Sequence, residues 1–160
     1  MQGNQQVINI LNQLLIAENT AIMQYKYNYE FNKNNQYTEI GHIFKERMQD
    51  EQKHYHYLIA RILFLEGLPV IDKVNGPKQA VDIKSQFEND LQLEMDCIKS
   101  YNDAIHKLTC GDEGIDPDND TRRILEKILK EETEHCKEIE GVLKKIQDVG
   151  VAGFLSSYIK

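Results

Sequence analysis

Residues 124–143 read ILEKILKEETEHCKEIEGVL, and they carry the clearest structural signal in the chain. Apolar side chains recur there at intervals of three and four residues, which is typical of an α-helix with one face in a protein core. Glu132 and His135 fall on that same face. A lone buried carboxylate is unfavourable, so the pair indicates a helix that points metal-ligand side chains inward. The face comprises Ile124, Leu125, Ile128, Leu129, Glu132, His135, Ile139 and Leu143.

Three earlier segments show the same helical period. The predicted helices run from near Gln5 to near Asn34, from about Glu39 to Glu66, from Asp82 to near Gly111 and from Asp120 to Gly150. The side chains of Thr38, Asp82 and Asp120 can accept hydrogen bonds from backbone N–H groups, so we expect them to cap the last three helices. The tail from Val151 to Lys160 is predicted to form a short fifth helix.

The connection between the second and third helices is long. Residues 67–81 contain Gly76 and Pro77 and show no helical period. A connection of this length can carry the chain back along a bundle and make the third helix parallel to the second. The sequence therefore predicts an all-α protein with a single domain over residues 1–160, a ferritin-like four-helix bundle with a long crossover.

The composition narrows the classes of partner. The 160 residues include 19 Lys and Arg against 26 Asp and Glu, a net charge of −7, so we expect cations rather than nucleic acid as charged partners. The odd count of 3 cysteines, without a CxxC motif, argues against a zinc ribbon or a rubredoxin-type iron site. The first residues include neither a basic segment nor a long apolar one. We therefore expect a cytoplasmic protein with no membrane partner.

Acidic and histidine side chains interrupt the apolar faces of all four predicted helices. Single glutamates do so in the first and third helices, whereas the second and fourth each carry a Glu-x-x-His pair, with both side chains on one face about a turn apart. Without cations, four converging carboxylates would repel one another, which argues against a metal-free polar network. Two divalent ions would balance the four charges, and this ligand set favours iron or manganese. The six residues are Glu18, Glu51, His54, Glu94, Glu132 and His135.

A third Glu-x-x-His pair, Glu39 and His42, has a different interpretation. With 5 histidines in 160 residues, chance alone gives roughly half a match to this motif, so one pair carries little weight. The pair precedes Glu51 and His54 by twelve residues, a rotation of about 120° away from the core-facing side. We expect it to be exposed in the first turn of its helix, with a surface role in iron entry as the alternative.

The chain also resembles a known family, the bacterioferritins. Four segments are similar to theirs, in the same order and at nearly the same spacing: MQGNQQVINILNQLLIAENTAIMQY (1–25), RILFLEGLP (61–69), DLQLE (90–94) and ILKEETEH (128–135). The resemblance implies that the six residues named above are the ligands of a di-iron ferroxidase centre, with Glu51 and Glu132 bridging the irons. It also implies that Tyr25 supports the centre from a second layer, whereas periodicity alone fits an ordinary core tyrosine equally well.

The same resemblance implies a function. Bacterioferritin subunits assemble into a hollow shell of 24, oxidise Fe(II) to Fe(III) with oxygen or peroxide, and store ferric mineral. We expect this chain to form such a homo-oligomer, alone or mixed with a second type of subunit. The ligands by themselves leave two alternatives open: a di-iron oxygen or peroxide reductase that stores no mineral, and a structural shell subunit.

Two departures from the family pattern stand out. Bacterioferritins bind haem b between paired subunits through a methionine from each, but this chain has Gln52 at the matching position, and an amide oxygen is a poor ligand for haem iron. We therefore expect little or no haem, with Met48 one turn earlier as the alternative ligand. The loop GDEGIDPDND (111–120) is longer than in typical members and is expected to be a surface variation.

Overall fold

A computed structural model describes residues 2–111 and 114–158. It contains four helices, α1 (Gln5–Asn34), α2 (Thr38–Phe64), α3 (Ile83–Cys110) and α4 (Asn119–Ser156). The described ranges contain no strand, and the predicted all-α four-helix bundle is confirmed. Part of the predicted loop, Asp112 and Glu113, and the last two residues of the tail lie outside the described residues.

The helices pack as two antiparallel pairs, α1 with α2 and α3 with α4. Side-chain hydrogen bonds also link α1 to α3. Gln24, in the second half of α1, donates to Asp90 (2.6 Å), while Asn32 near the end of α1 donates to Gln86 near the start of α3 (2.7 Å). Helices α2 and α3 are therefore both antiparallel to α1 and parallel to each other, as the long crossover predicts.

The crossover, residues 65–82, lies against α1. It has no regular structure, and polar side chains on α1 supply hydrogen-bond partners for its backbone, which would otherwise lack them near the bundle. These contacts explain why α1 carries several amides and a threonine on the side that faces the crossover. The pairs are Asn12 with Leu68 (3.1 Å) and Val70 (2.8 Å), Asn19 with Lys73 (2.9 Å), Thr20 with Asn75 (2.8 Å) and Gln24 with Lys78 (2.8 Å).

Two of the three predicted helix caps are wrong. Asp82 does cap α3, because its side chain accepts from the backbone N–H of Ser85 (2.9 Å). Helix α4, however, is capped by Asp118 and not by Asp120. Asp118 accepts from the backbone N–H of Thr121 (3.0 Å) and also pairs with Arg61 on α2 (3.2 Å), so a tertiary contact favours the earlier aspartate.

The turn between α1 and α2 accounts for the other wrong cap. Gln36 adopts a left-handed φ of 65°, which brings the backbone N–H of Tyr37 within 2.8 Å of the Asn32 carbonyl. Tyr37 thereby makes a backbone hydrogen bond to the last turn of α1, and it is also the N-cap residue of α2. Thr38 is already the first residue of α2, and no side chain makes a capping hydrogen bond there.

The C-terminal segment changes direction at Gly150. This residue has φ 72° and ψ 166°, which interrupts helical geometry inside α4 and suits a glycine. Beyond the break, Phe154 is 2% exposed and meets the Phe87 ring edge-on at 6.3 Å between centroids. The segment therefore covers one end of the bundle as the last part of α4, and a separate fifth helix is not confirmed.

Two apolar clusters fill the bundle, one on each side of the layer that holds the six predicted ligand residues. One includes Leu11, Leu15, Leu58, Ile62, Leu108 and Leu125, and the other includes Ile40, Phe44, Phe87, Ile139, Ile146 and Phe154. The polar layer therefore lies in the middle of the bundle, between two apolar regions that exclude water. Within the described residues, none of the helices combines the length and apolar character needed to cross a membrane.

Candidate metal centre

The six predicted ligand residues converge in the middle of the bundle. Each helix presents them on the face predicted from its period: one from α1, two from α2, one from α3 and two from α4. His135 is 4% exposed and the other five are at most 1% exposed. The structure thus brings together Glu18, Glu51, His54, Glu94, Glu132 and His135.

These side chains form two groups of four potential metal ligands. One consists of Glu18, Glu51, His54 and Glu132, and the other of Glu51, Glu94, Glu132 and His135. Within each group, one ligand atom from every residue lies within 4.8 Å of the others. Glu51 and Glu132 belong to both groups, which is the arrangement expected of two bridging carboxylates between two ions.

The two imidazoles face each other across the shared carboxylates. His54 Nδ1 lies 3.1 Å from a carboxylate oxygen of both Glu51 and Glu132. His135 Nδ1 lies 3.2 Å from Glu51 and 3.4 Å from Glu132. The ring centroids are 5.9 Å apart and the rings are inclined by 24°. In both histidines Nδ1 therefore points to the centre, and Nε2 points away from it.

Each outward Nε2 atom meets a second carboxylate. His54 Nε2 lies 3.0 Å from Glu131 on α4, and His135 Nε2 lies 3.6 Å from Asp50 on α2. A carboxylate behind a histidine fixes the ring orientation and raises the basicity of the nitrogen that can bind a metal. The partners are crossed, since each acid supports the histidine of the opposite helix.

Two buried tyrosines hold the single glutamates. The Tyr25 hydroxyl on α1 donates to Glu94 on α3, which places Tyr25 in the supporting layer. Tyr101 on α3 donates to Glu18 on α1 in the same way. Both tyrosines are at most 1% exposed, and burial raises the pKa of each hydroxyl, so they remain hydrogen-bond donors at neutral pH.

The pKa values of the acids in the centre are shifted in different directions. Desolvation raises the pKa of Glu18 to about 8 despite the nearby imidazole of His54. Desolvation, together with the charges of Glu51 and Glu18, also raises the pKa of Glu132. Burial works against ionisation of Glu51 too, but its contacts with the imidazoles of His135 and His54 outweigh burial and lower its pKa. Part of the negative charge is therefore neutralised by protons in the absence of cations.

The pKa values of both histidines are raised. Burial disfavours the imidazolium, but the nearby carboxylates of Glu132 and Glu51 outweigh it and raise the pKa of His135 to about 11. Burial is likewise outweighed for His54, whose pKa is raised by the nearby carboxylates of Glu132, Glu18 and Glu51. A metal ion would have to displace these protons, because metal-bound imidazole is neutral.

The donor atoms fit iron or manganese. Among the described residues, most of the buried side-chain atoms that make no hydrogen bond belong to this centre: Glu18 Oε2, Glu51 Oε1, Glu94 Oε2, Glu132 Oε2 and His135 Nδ1. Unsatisfied buried polar atoms are rare in native proteins, and their concentration around one point is expected where cations bind. Four carboxylates with two imidazoles favour iron or manganese over a zinc site rich in thiolates.

The other predicted positions lie away from the centre. Glu39 and His42 are exposed at the start of α2, as expected from their rotation off the core face. Gln52 is exposed on α2 as well. Met48 is half-buried and packs against the apolar cluster around Phe44, which is the gap-filling role usual for methionine.

Sequence reasoning missed several supporting residues. Tyr101 is one of them, although it follows Glu94 by seven residues just as Tyr25 follows Glu18. An acid also precedes the glutamate in each motif, DEQKH (50–54) and EETEH (131–135), and this repeated doublet was an available signal for Asp50 and Glu131.

A buried aspartate next to the centre was missed as well. Asp90 is fully buried and accepts hydrogen bonds from Gln24 (2.6 Å) and Asn28 (3.0 and 3.1 Å). Burial raises its pKa to about 8. It lies one helical turn before Glu94 on α3, so the same helical period that places Glu94 inward was an available signal for Asp90.

The fold and the centre together define a class. A four-helix bundle with one inward glutamate on each of two helices and an inward Glu-x-x-His on each of the other two is the architecture of the ferritin-like di-metal carboxylate proteins. The family model described as a ferritin-like domain matches residues 8–149. The chain therefore belongs to the ferritin-like family.

Its curated relatives include several bacterioferritins. Bacterioferritin BfrA of Mycobacterium tuberculosis is 31% identical over 150 residues, which cover 94% of this chain and 91% of the relative. The bacterioferritin of Streptomyces coelicolor is 30% identical over 162 residues, or 100% of this chain and 93% of the relative. A bacterial ferritin of Paramagnetospirillum magnetotacticum is 40% identical over 109 residues, or 66% and 64%. The resemblance predicted from sequence motifs is confirmed.

Proposed function

We propose that this chain is the subunit of an iron-storage ferroxidase. It would oxidise Fe(II) at a di-iron centre inside each subunit and store the ferric product within a shell. The observation that carries the proposal is the pair of buried four-residue groups that share Glu51 and Glu132. The similarity to bacterioferritins over nearly the whole chain supports the same function.

The ligand roles follow the two groups. Glu18 and His54 would bind one iron, Glu94 and His135 would bind the other, and Glu51 and Glu132 would bridge them. Four carboxylates stabilise the higher charge of Fe(III) more than that of Fe(II), which favours electron loss. Asp50 and Glu131 would keep both imidazoles oriented, and the two tyrosines would do the same for the single glutamates.

The reaction needs two electrons from each pair of substrate ions. Two Fe(II) and one O₂ with two protons yield two Fe(III) and one H₂O₂. With H₂O₂ as oxidant, two Fe(II) and two protons yield two Fe(III) and two waters. A centre that holds two ions together can deliver both electrons to one oxidant molecule and so avoids release of a one-electron oxygen radical.

A shell of 24 subunits is part of the proposal. Large apolar side chains are exposed at the end of α2 and along the crossover: Leu63, Phe64, Leu68, Ile71, Val74 and Val81, with exposures between 44% and 83%. Apolar surface of this extent on one side of a subunit is typical of an interface between subunits. Sedimentation under native conditions should show a particle near the mass of 24 chains, and a monomer or dimer would contradict the shell.

The deciding experiment counts iron. Metal-free protein receives Fe(II) in small additions under air, and protein-bound iron per chain is measured after gel filtration. Storage predicts far more than two irons per chain, together with a ferric absorbance that develops rapidly for the first additions. Saturation at two irons per chain would favour the non-storing di-iron reductase. Absence of rapid oxidation would leave only a structural shell subunit.

A further inference from the structure

The surface between α2 and α4 carries two clefts of opposite character. Arg47 on α2 donates a hydrogen bond to Glu138 on α4, so one ion pair spans the gap between the helices. Both residues line both clefts, and they form the partition between them. Arg47 also lies 3.7 Å from Asp50, the acid behind His135.

The cleft on the Asp50 side is polar. Its volume is about 510 Å³, and every side chain that lines it is ionisable. It reaches the centre at His135, whose Nε2 atom faces Asp50. Among its lining residues are also Lys130, Glu131 and Glu134. An opening lined by ionisable groups of both signs suits hydrated, polar solutes.

The cleft on the other side of the ion pair is mostly apolar. Its volume is about 400 Å³, and two of the charged residues that line it, Glu46 and Lys145, are exposed. The apolar side chains that line it are Ile43, Phe44, Phe87, Ile139 and Val142. Tyr25 and Asp90 also line it and are fully buried or nearly so, so the cleft extends into the bundle.

The inner end of the apolar cleft is one side chain away from the metal centre. Tyr25 lines the cleft, and its hydroxyl donates to Glu94. We propose that dioxygen reaches the centre through this apolar cleft, by a route separate from the polar cleft beside His135. The inference rests on the proposed ferroxidase function and adds the identity of the oxidant that uses this entrance.

Physical chemistry separates the two routes. Dioxygen is neutral and makes no strong hydrogen bonds, so it loses little on entering an apolar cavity. Fe(II) would have to give up its hydration there, which is strongly unfavourable without ligands. Hydrogen peroxide forms hydrogen bonds with water and with polar groups, so it gains nothing from this entrance. Blocking the apolar cleft should therefore slow oxidation by O₂ selectively.

Two substitutions can narrow the cleft with little disturbance to the fold. Gly141 lines the cleft on α4, and a Cβ atom added there meets no other atom within 4 Å. Gly141→Leu adds bulk at the opening, and Gly141→Ala controls for the gain in helix propensity. Val142→Phe, at a half-buried position on the same wall, is a second and independent block.

The first measurement is the initial rate of Fe(II) oxidation against O₂ concentration. We expect Gly141→Leu and Val142→Phe to raise the apparent KM for O₂ by about threefold or more. The number of Co(II) ions bound and the rate with H₂O₂ under argon should equal those of Gly141→Ala. An unchanged KM for O₂ in both variants would overturn the route, and so would an equal loss with O₂ and H₂O₂.

The second measurement does not depend on activity. Crystals of the metal-free protein under xenon pressure should show xenon against Ile139 and Val142, because xenon occupies the apolar cavities that dioxygen enters. Gly141→Leu and Val142→Phe should weaken or remove that density. Absence of xenon from the wild-type cleft would overturn the inference. If xenon binds there but Fe(II) oxidation never occurs, the proposed ferroxidase function fails and the cleft remains a gas-binding cavity.

Discussion

Tyr101 on α3 donates a hydrogen bond to Glu18 on α1, and Tyr25 on α1 donates one to Glu94 on α3. Each tyrosine follows the glutamate of its own helix by seven residues but binds the glutamate of the other helix. Antiparallel packing makes this reciprocal pairing possible, since two turns along one helix correspond to two turns back along its neighbour. The candidate centre therefore has an approximate twofold arrangement.

Tyr101→Phe should destabilise the metal-free protein. The substitution leaves a buried carboxylate oxygen of Glu18 without its donor, which costs about 1–3 kcal/mol. Urea unfolding of metal-free protein, followed by circular dichroism, measures the change. Tyr57→Phe is the matched control, since that hydroxyl accepts a hydrogen bond from the exposed residue Lys127 and its loss should change stability by less than about 0.5 kcal/mol. Equal effects of the two substitutions would contradict a structural role for the Tyr101 contact.

Substitution of a residue that belongs to one ligand group should weaken metal binding less than substitution of a residue that belongs to both groups. Glu94→Ala disrupts only the group with His135, so one Co(II) ion should still bind, with affinity for a second reduced by about 100-fold or more. Glu51→Ala disrupts both groups and should abolish tight binding of either ion. Isothermal titration with Co(II) gives the stoichiometry. Glu39→Ala, at the exposed motif, should bind as the wild type does, and identical titrations for Glu94→Ala and Glu51→Ala would refute the shared role.

The carboxylate of Glu131, which lies behind His54, should contribute more to metal affinity than the carboxylate of Glu134. Glu131→Gln keeps the shape of the side chain but removes the charge that supports the His54 ring at 3.0 Å. We expect metal affinity to fall by about 10–100-fold. Glu134→Gln removes the same charge from the same cleft on α4, and within the described residues Glu134 forms no ion pair with either histidine, so it reports the general electrostatic effect. If both variants bind Co(II) equally, the Glu131 contact has no specific role.

Glu18 should make the metal-free protein less stable as the pH rises. Its pKa is raised from 4.5 to about 8 in the folded chain, so folding favours the protonated carboxyl. This contribution is fully present below pH 4.5 and is lost as the pH rises through 8. Glu18→Gln retains an oxygen for Tyr101 but cannot ionise, so its unfolding midpoint relative to wild type should increase between pH 5 and pH 8. A difference that does not vary with pH would show that Glu18 ionises freely in the folded state.

The protein purified alone after expression with ample haem should have no Soret band. Gln52 offers no thioether, and Met48 is half-buried against the apolar cluster around Phe44. Gln52→Met restores the ligand that the family resemblance implies and should introduce haem at one per two subunits. A strong Soret band in the wild type that disappears in Met48→Leu would identify Met48 as the ligand and overturn this prediction.

Much of the fold and of the candidate centre could be predicted because the relevant signals are local. The period of each helix is a property of a single segment, and it was enough to place Glu18, Glu94 and the two Glu-x-x-His pairs on inward faces. The long crossover then restricted the topology to two antiparallel pairs. Those inferences required no knowledge of how one helix is rotated against another.

The errors and omissions concern relations between elements. Asp118 and Asp120 are equivalent caps by sequence, and the choice between them depends on Arg61, which α2 brings close to Asp118. The short fifth helix is not confirmed as a separate element, and the direction of the segment beyond Gly150 depends on that residue and on the packing of Phe154 against Phe87. In each case a distant residue selects between local options of similar energy.

Each histidine of the centre is supported by an acid on the opposite helix, and these contacts also show what local sequence can and cannot predict. The doublets at Asp50 and Glu131 are visible in the sequence, and helical spacing would place Asp50 near His54 on its own helix. In the folded protein Asp50 faces His135 instead, and Glu131 faces His54. Periodicity can assign a residue to a face of its own helix, because that depends on backbone geometry alone. The atom it meets on another helix is set by the register and rotation of α2 against α4, which result from packing the whole core.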